Sequence, residues 1–174
     1  MRYSKIHKLD ISNGEGIGVA LFVQGCHFHC NNCFNSETWD FDKGKEWNEE
    51  IQNQFLDLID RPYITRVSIL GGEPLADENI DNILYLLFKI KKRFGDTKNI
   101  WVYTGYTFEE IENKYGNKSC ERKNILLFAD IIVDGQYIDK LKDLSLRFRG
   151  SSNQRIIDVK QSYEEKKIVL YTNE

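Results

Sequence analysis

The chain lacks any long apolar run: no stretch approaches the roughly 18 consecutive apolar residues of a membrane span. Its opening segment, MRYSKIHKLDIS, lacks the apolar core of a secretory signal. A cytoplasmic location without a membrane partner is therefore expected. A basic excess is also missing, since 24 basic against 27 acidic residues leave a formal charge of -3. No global field is available to hold a nucleic-acid backbone, so nucleic acid is not an expected partner. Repeats and low-complexity tracts are absent. Cysteine is sparse, with four in 174 residues, and in a chain of cytosolic character that number points to metal or redox chemistry rather than a disulfide framework.

The residues that are present describe a globular α/β chain. Hydrophobic content of 41% and aromatic content of 13% over 174 residues suit one domain, residues 1–174, with a substantial core. Ile17–Val23 (IGVALFV) is a continuous apolar run expected to form a strand. Glu49–Ile59 places Ile51, Phe55, Leu58 and Ile59 at helical spacing. Arg66–Leu70 reads as a second strand, and Glu78–Phe94 carries one broad apolar helical face. Asn99–Thr104 reads as a third strand, followed by the helix-like TFEEIENKY, where Thr107 and Glu110 have capping-box spacing. Asp130–Val133 is the fourth. Such alternation implies a mostly parallel sheet with right-handed crossovers, with chemistry at the carboxyl ends of the strands.

The unusual residues follow those strand ends. The cysteine run GCHFHCNNCFN follows the first, GGEP the second, TGY the third and DGQY the fourth. A closed eight-fold barrel rarely has fewer than about 200 residues, so a shortened, open α/β barrel is expected, uncovered on one side.

Cys26, Cys30 and Cys33 place three thiols in eight residues without a fourth cysteine in local reach. Thiolates bind thiophilic metals and iron-sulfur clusters. Structural sites close with four protein ligands, and a position left open serves catalysis. Zinc is one reading, if His27 or His29 completes the set. Against it, zinc ligands usually come as two short knuckles separated by a spacer, whereas one compact loop can wrap three corners of a cubane. Iron-sulfur clusters generally take four cysteines, so three would leave one iron free. His27 and His29 alternate with Phe28 and read as loop-packing residues. Cys120, in the polar stretch KYGNKSCERKN, reads as an incidental thiol.

The Cys-x-x-x-Cys-x-x-Cys loop followed by Gly71-Gly72-Glu73-Pro74 on the next strand end resembles the radical S-adenosylmethionine enzymes. The resemblance implies that Cys26, Cys30 and Cys33 hold a 4Fe-4S cluster whose fourth iron is chelated by S-adenosylmethionine. One-electron reduction then cleaves the sulfonium to methionine and a 5'-deoxyadenosyl radical. The cofactors supply the reactivity and the protein positions them. Gly71 and Gly72 allow close approach and positive φ, Pro74 favours an extended Glu73, and carbonyls or the Glu73 carboxylate would receive the methionine ammonium. Taken by itself, GGEP is also an ordinary strand-to-helix turn. Thr104 is the candidate hydroxyl contact to the cofactor. Asn32 stands where many of these enzymes carry an aromatic residue, which leaves it a backbone contact to adenine, with Phe34 nearby.

The segment Arg147–Asp158, RFRGSSNQRIID, resembles the terminal signature of anaerobic ribonucleoside-triphosphate reductase activating proteins, and Asn13-Gly14-Glu15-Gly16 resembles their N-terminal approach to the cluster. Resemblance thus spans about Asp10 to Asp158. It implies hydrogen abstraction from a glycine Cα of a large partner reductase, through the open face of the barrel, with the electron supplied by a flavodoxin or thiol system. Arg147, Arg149 and Arg155 could dock the partner or bind an acidic group in the pocket, or form a salt-bridged turn. Other readings are activation of a different glycyl-radical enzyme, small-molecule radical chemistry, and a non-enzymatic zinc-binding interaction module.

Overall fold

A computed structural model describes residues 1–113 and 116–172. Eight strands form one sheet: β1 (Arg2–Asp10), β2 (Gly18–Val23), β3 (Lys45–Glu46), β4 (Arg66–Gly71), β5 (Asn99–Tyr103), β6 (Ile131–Asp134), β7 (Arg155–Asp158) and β8 (Val169–Leu170). Their spatial order is β3-β1-β2-β4-β5-β6-β7-β8. The block β2-β4-β5-β6 is parallel, and every pairing outside it is antiparallel. The sheet does not close: β3 and β8 are its edges. The four strands expected from apolar runs make the parallel block. The flanking strands were not expected from the sequence.

Helices α1 (Glu49–Ile59), α2 (Ile80–Phe94), α3 (Phe108–Glu112), α4 (Ser119–Asn124) and α5 (Val159–Glu165) connect the strands. Asn48 caps α1 by accepting from the Ile51 amide at 3.0 Å, and the expected Thr107–Glu110 capping box opens α3. The last two residues of the expected Thr107–Tyr115 segment, Lys114 and Tyr115, lie outside the described residues.

Strand side chains alternate between two faces. Val19, Leu21, Val23, Val67, Ile69, Ile100, Val102, Ile132 and Ile157 pack with Phe55 and Ile59 of α1 and Ile83, Leu87 and Ile90 of α2 in the main core. The opposite face is free of helices in this core and carries Ala20, Phe22 and Leu70, with Tyr103 against them, beside a second group of Trp101, Ile131 and Val133. Phe148 and Tyr171 cover Trp101, with ring centroids 5.5 and 5.4 Å away. Tyr171 is therefore packed rather than a loose end, and its amide donates to the Ile156 carbonyl at 2.8 Å.

Beneath this second face lies a buried polar anchor. Arg66, fully buried, donates to the Asp10 carboxylate at 2.7 Å and to the Glu15 carbonyl at 3.1 Å. Ser68 donates to the Asn13 carbonyl at 2.6 Å. The Asn13–Gly16 loop is thereby fastened under β4. Burial acts to raise the Asp10 pKa, but hydrogen bonds from Arg66 and Asn13 outweigh it and hold the carboxyl below its ordinary range.

Candidate active site

A cavity of about 600 Å³ opens on the helix-free face, at the carboxyl ends of the parallel strands. Cys26, Cys30 and Cys33 line it, together with Gly71, Gly72 and Glu73 from the end of β4, Thr104 and Gly105 from β5, and Gly135 to Tyr137 from β6. The strand-end rule therefore brings four separate sequence segments into one wall.

The cysteine loop is built for sulfur ligands. The Asn35 amide donates to Cys33 Sγ at 3.4 Å, and the backbones of Phe28 and His29 act to lower the Cys26 pKa and that of Tyr137 to lower Cys30. Burial pushes the Cys26 thiol up to about 11, and burial with the neighbouring Cys33 also raises Cys30. A bound cation would reverse that, because thiol ligands coordinate as thiolates. Among the described residues, no three His, Cys, Asp or Glu side chains converge on a single ion position. The three half-buried thiols instead suit a cluster in which each binds its own iron. His27 packs on Phe41 at 4.4 Å and pairs with Glu78 at 3.0 Å, and His29 stacks on Trp39 at 4.6 Å. Both are thus occupied as packing residues.

The glycines of GGEP fit this loop from below. Gly71 has φ +104°, and a Cβ on Gly72 would lie 2.3 Å from the Gly25 carbonyl oxygen. The Gly72 amide donates to Val23 at 2.9 Å and the Glu73 amide to Gly25 at 2.7 Å. Glu73 is buried, and its carboxylate accepts from the Leu75 amide, the Thr104 hydroxyl and the Gly105 amide, each at 2.8 Å. Burial nevertheless pushes its carboxyl up to about 7 against these bonds. Thr104 therefore spends its proton on Glu73 and accepts from the Tyr106 amide at 3.1 Å. Pro74 is buried outside the cavity lining. Asn32 has φ +54°, and its side chain donates to Asp139 at 2.9 Å instead of lining the cavity. Phe34 lines the cavity and packs on Tyr137.

Residues 12–157 match a family described as a 4Fe-4S single cluster domain. An anaerobic ribonucleoside-triphosphate reductase-activating protein of Vibrio cholerae is 34% identical over 158 residues, covering 90% of this chain and 97% of its own length. The protein of that name from Escherichia coli K12 is 34% identical over 88% of this chain and 96% of its own. Its counterpart in bacteriophage T4 is 35% identical over 90% and 93%. The chain belongs to the reductase-activating protein family.

The terminal signature of this family member is a structural wall. Gln154 Oε1 accepts from the Gly150 and Ser151 amides at 2.9 and 3.2 Å, while Nε2 donates to the Gly135 carbonyl at 3.1 Å. Asn153 donates to Gln136 at 2.8 Å. The signature thereby clamps the DGQY loop that forms the far side of the cavity. Its arginines divide: Arg147 pairs with Glu15 at 2.9 Å, and Arg155 forks between Glu109 and buried Asp134. Only Arg149 of the three lines the cavity, donating to the Gln154 carbonyl at 2.7 Å. Two of the arginines are thus held in ion pairs and one lines the pocket. Cys120 is exposed and absent from the cavity lining.

Sequence reasoning missed Gly25, Trp39 and Tyr103. Gly25, at φ +95° with Phe41 against its α-carbon, had a visible signal: a glycine at a strand end directly before the first cysteine. Trp39 and Tyr103 line the cavity but stand outside any motif.

Proposed function

We propose that this chain generates a glycyl radical on an anaerobic ribonucleoside-triphosphate reductase by reductive cleavage of S-adenosylmethionine. The observation that supports this most directly is that three thiols share a cavity wall with the Gly71–Glu73 turn and Thr104. Cys26, Cys30 and Cys33 would hold a 4Fe-4S cluster with one iron free of protein ligands. A bound cluster, once reduced by the external donor, would supply the electron that splits the sulfonium C–S bond into methionine and the 5'-deoxyadenosyl radical needed to take hydrogen from a glycine Cα.

The protein's own part is positioning. Gly71 and Gly72 bring the β4 turn against the cysteine loop, and their carbonyls, with buried Glu73, offer acceptors to the methionine ammonium. Thr104 and Gly105 brace Glu73 from β5, so that the acceptor keeps one orientation. Phe34 and Thr104, the latter as an acceptor through its remaining lone pair, complete the nucleoside side, whereas Asn32 stands outside the cavity lining. Phe28 is fixed by Tyr106 at 5.0 Å and covers Gly105, which helps keep water from the reaction.

In this reading the whole chain, 1–174, is one domain of the shortened, open radical S-adenosylmethionine barrel type. The unclosed sheet leaves room for a protein loop to reach the cavity. It works in the cytoplasm, with a flavodoxin or thiol system as electron donor and without nucleic acid. Among the described residues no helix is long and apolar enough to cross a membrane. The test is anaerobic reconstitution with iron and sulfide, reduction, and addition of S-adenosylmethionine with the cognate reductase. A glycyl-radical doublet by electron paramagnetic resonance is expected. Cofactor cleavage without that doublet would reject the substrate, and a colourless protein holding one zinc would reject the chemistry.

A further inference from the structure

Buried hydrogen-bond donors without acceptors are rare in folded proteins, and each one calls for a cause. Among the described residues, two buried side-chain polar atoms lack a partner: Trp39 Nε1 and the Tyr103 hydroxyl. Both residues line the cavity that holds the three thiols. Tyr103 packs on the sheet against the cluster of Phe22 and Leu70, whereas Trp39 stands six residues past Cys33, at the end of a 3-10 turn over Ser36–Thr38. An indole nitrogen can only donate, so the Trp39 site is complete only when something brings an acceptor to it.

The position of Trp39 narrows that acceptor. The Gly25 amide donates to the Thr38 carbonyl at 2.7 Å and the Cys26 amide to the Trp39 carbonyl at 3.0 Å, which lays residues 38 and 39 alongside the start of the loop. His29, between the first two cysteines, stacks on the indole with an interplanar angle of 19°. Thr38 donates to the Asn35 carbonyl at 2.7 Å, and the Asn35 amide in turn donates to Cys33 Sγ. The backbone that carries the indole is therefore fixed beside both ends of the loop, where the Asn35 N–H already donates to the Cys33 sulfur.

Building on the cluster reading above, we infer that the Trp39 indole N–H donates a hydrogen bond to a sulfur of the iron-sulfur cluster, either a sulfide or a cysteine thiolate. Reduction adds negative charge that the sulfurs share, so a donor aimed at them favours the reduced state. Hydrogen bonds to sulfur are one of the protein's levers on cluster potential. Trp39 then acts as a tuning residue: it sets how readily the cluster accepts the electron.

The test uses the full chain, reconstituted anaerobically and reduced, with ¹⁵N in the indole nitrogens of its three tryptophans, Trp39, Trp47 and Trp101. Pulsed electron paramagnetic resonance should show a weak ¹⁵N coupling to the reduced cluster that is absent in Trp39→Phe. In a potentiometric titration, Trp39→Phe should lower the reduced-to-oxidised ratio at a fixed potential by roughly three- to tenfold. The upper value corresponds to about 59 mV for a one-electron couple. A reduced cluster without ¹⁵N coupling in the unsubstituted protein would overturn the inference, as would an unchanged midpoint in Trp39→Phe. Should that variant fail to load, the labelled parent spectrum still decides. Failure of the parent itself to form a reducible cluster would instead strike the underlying cluster reading, and the inference would fall with it.

Discussion

Replacing Gly72 by Ala tests the contact that joins the GGEP turn to the cysteine loop. The new Cβ would lie 2.3 Å from the Gly25 carbonyl oxygen and 2.9 Å from its carbon, against an ordinary separation of about 3.5 Å. Both sides are backbone, so rotamer changes offer no relief, and the turns must part by about 1 Å. The Glu73 amide, now 2.7 Å from the Gly25 oxygen, would then exceed hydrogen-bond range, about 3.2 Å. One lost backbone bond costs about 1 kcal/mol, and forced overpacking adds about 1–3 kcal/mol. The sum is about 2–4 kcal/mol, which at about 2–4 °C per kcal/mol for a chain of this size lowers the melting midpoint by roughly 5–15 °C. Thermal unfolding by circular dichroism measures the loss, and iron retained after anaerobic desalting reports the displaced loop. A Gly72→Ala protein melting within about 1 °C of its parent and keeping its iron would refute the contact.

Arg66→Ala takes the guanidinium from the buried Asp10 carboxylate and leaves it the Asn13 hydrogen bonds, and should destabilise by about 3 kcal/mol, read from urea unfolding midpoints. Glu73 has its pKa raised to about 7 from an ordinary 4.5, so its contribution to stability is full below about 4.5 and is lost as pH rises through about 7. The difference is about 3 kcal/mol. Wild type should therefore lose stability relative to Glu73→Gln between pH 5 and 8, and parallel pH profiles would contradict the buried carboxyl. Alanine at Cys26, Cys30 or Cys33 should abolish S-adenosylmethionine cleavage, measured by methionine release. Cys120→Ala should leave that cleavage and the iron content largely intact.

The parallel block was legible because β2, β4, β5 and β6 are largely buried on both faces and rich in apolar residues, although Arg66 and Ser68 interrupt β4. β1 escaped notice for the opposite reason. Its sequence RYSKIHKLD looks solvated, yet Lys5 and His7 lie over the Phe22 ring at 4.6 and 4.7 Å, so polar side chains cover an apolar face by their stems and rings. β3 and β8 are two residues each, too short for any periodicity, and β7 hides inside a segment whose polarity suggested a turn. At the site, the thiols and the glycines carried their chemistry in their spacing. The engagement of Thr104 with Glu73, and of Arg155 with Asp134, depends on strands meeting across the sheet. Linear order does not express that.

Residues in the cavity wall reach from Ser12 to Gln154, and this span has a consequence for biosynthesis. The thiols leave the ribosome early, but the DGQY loop that touches Cys30 and the Gln154 clamp that steadies that loop come more than a hundred residues later. At about 5–20 residues per second, the three sulfurs stay uncovered for roughly 10 seconds of every synthesis. Metal loading and protection from oxidants therefore become a matter of timing: a chain stopped before its last strands would carry all its ligands in an unfinished pocket.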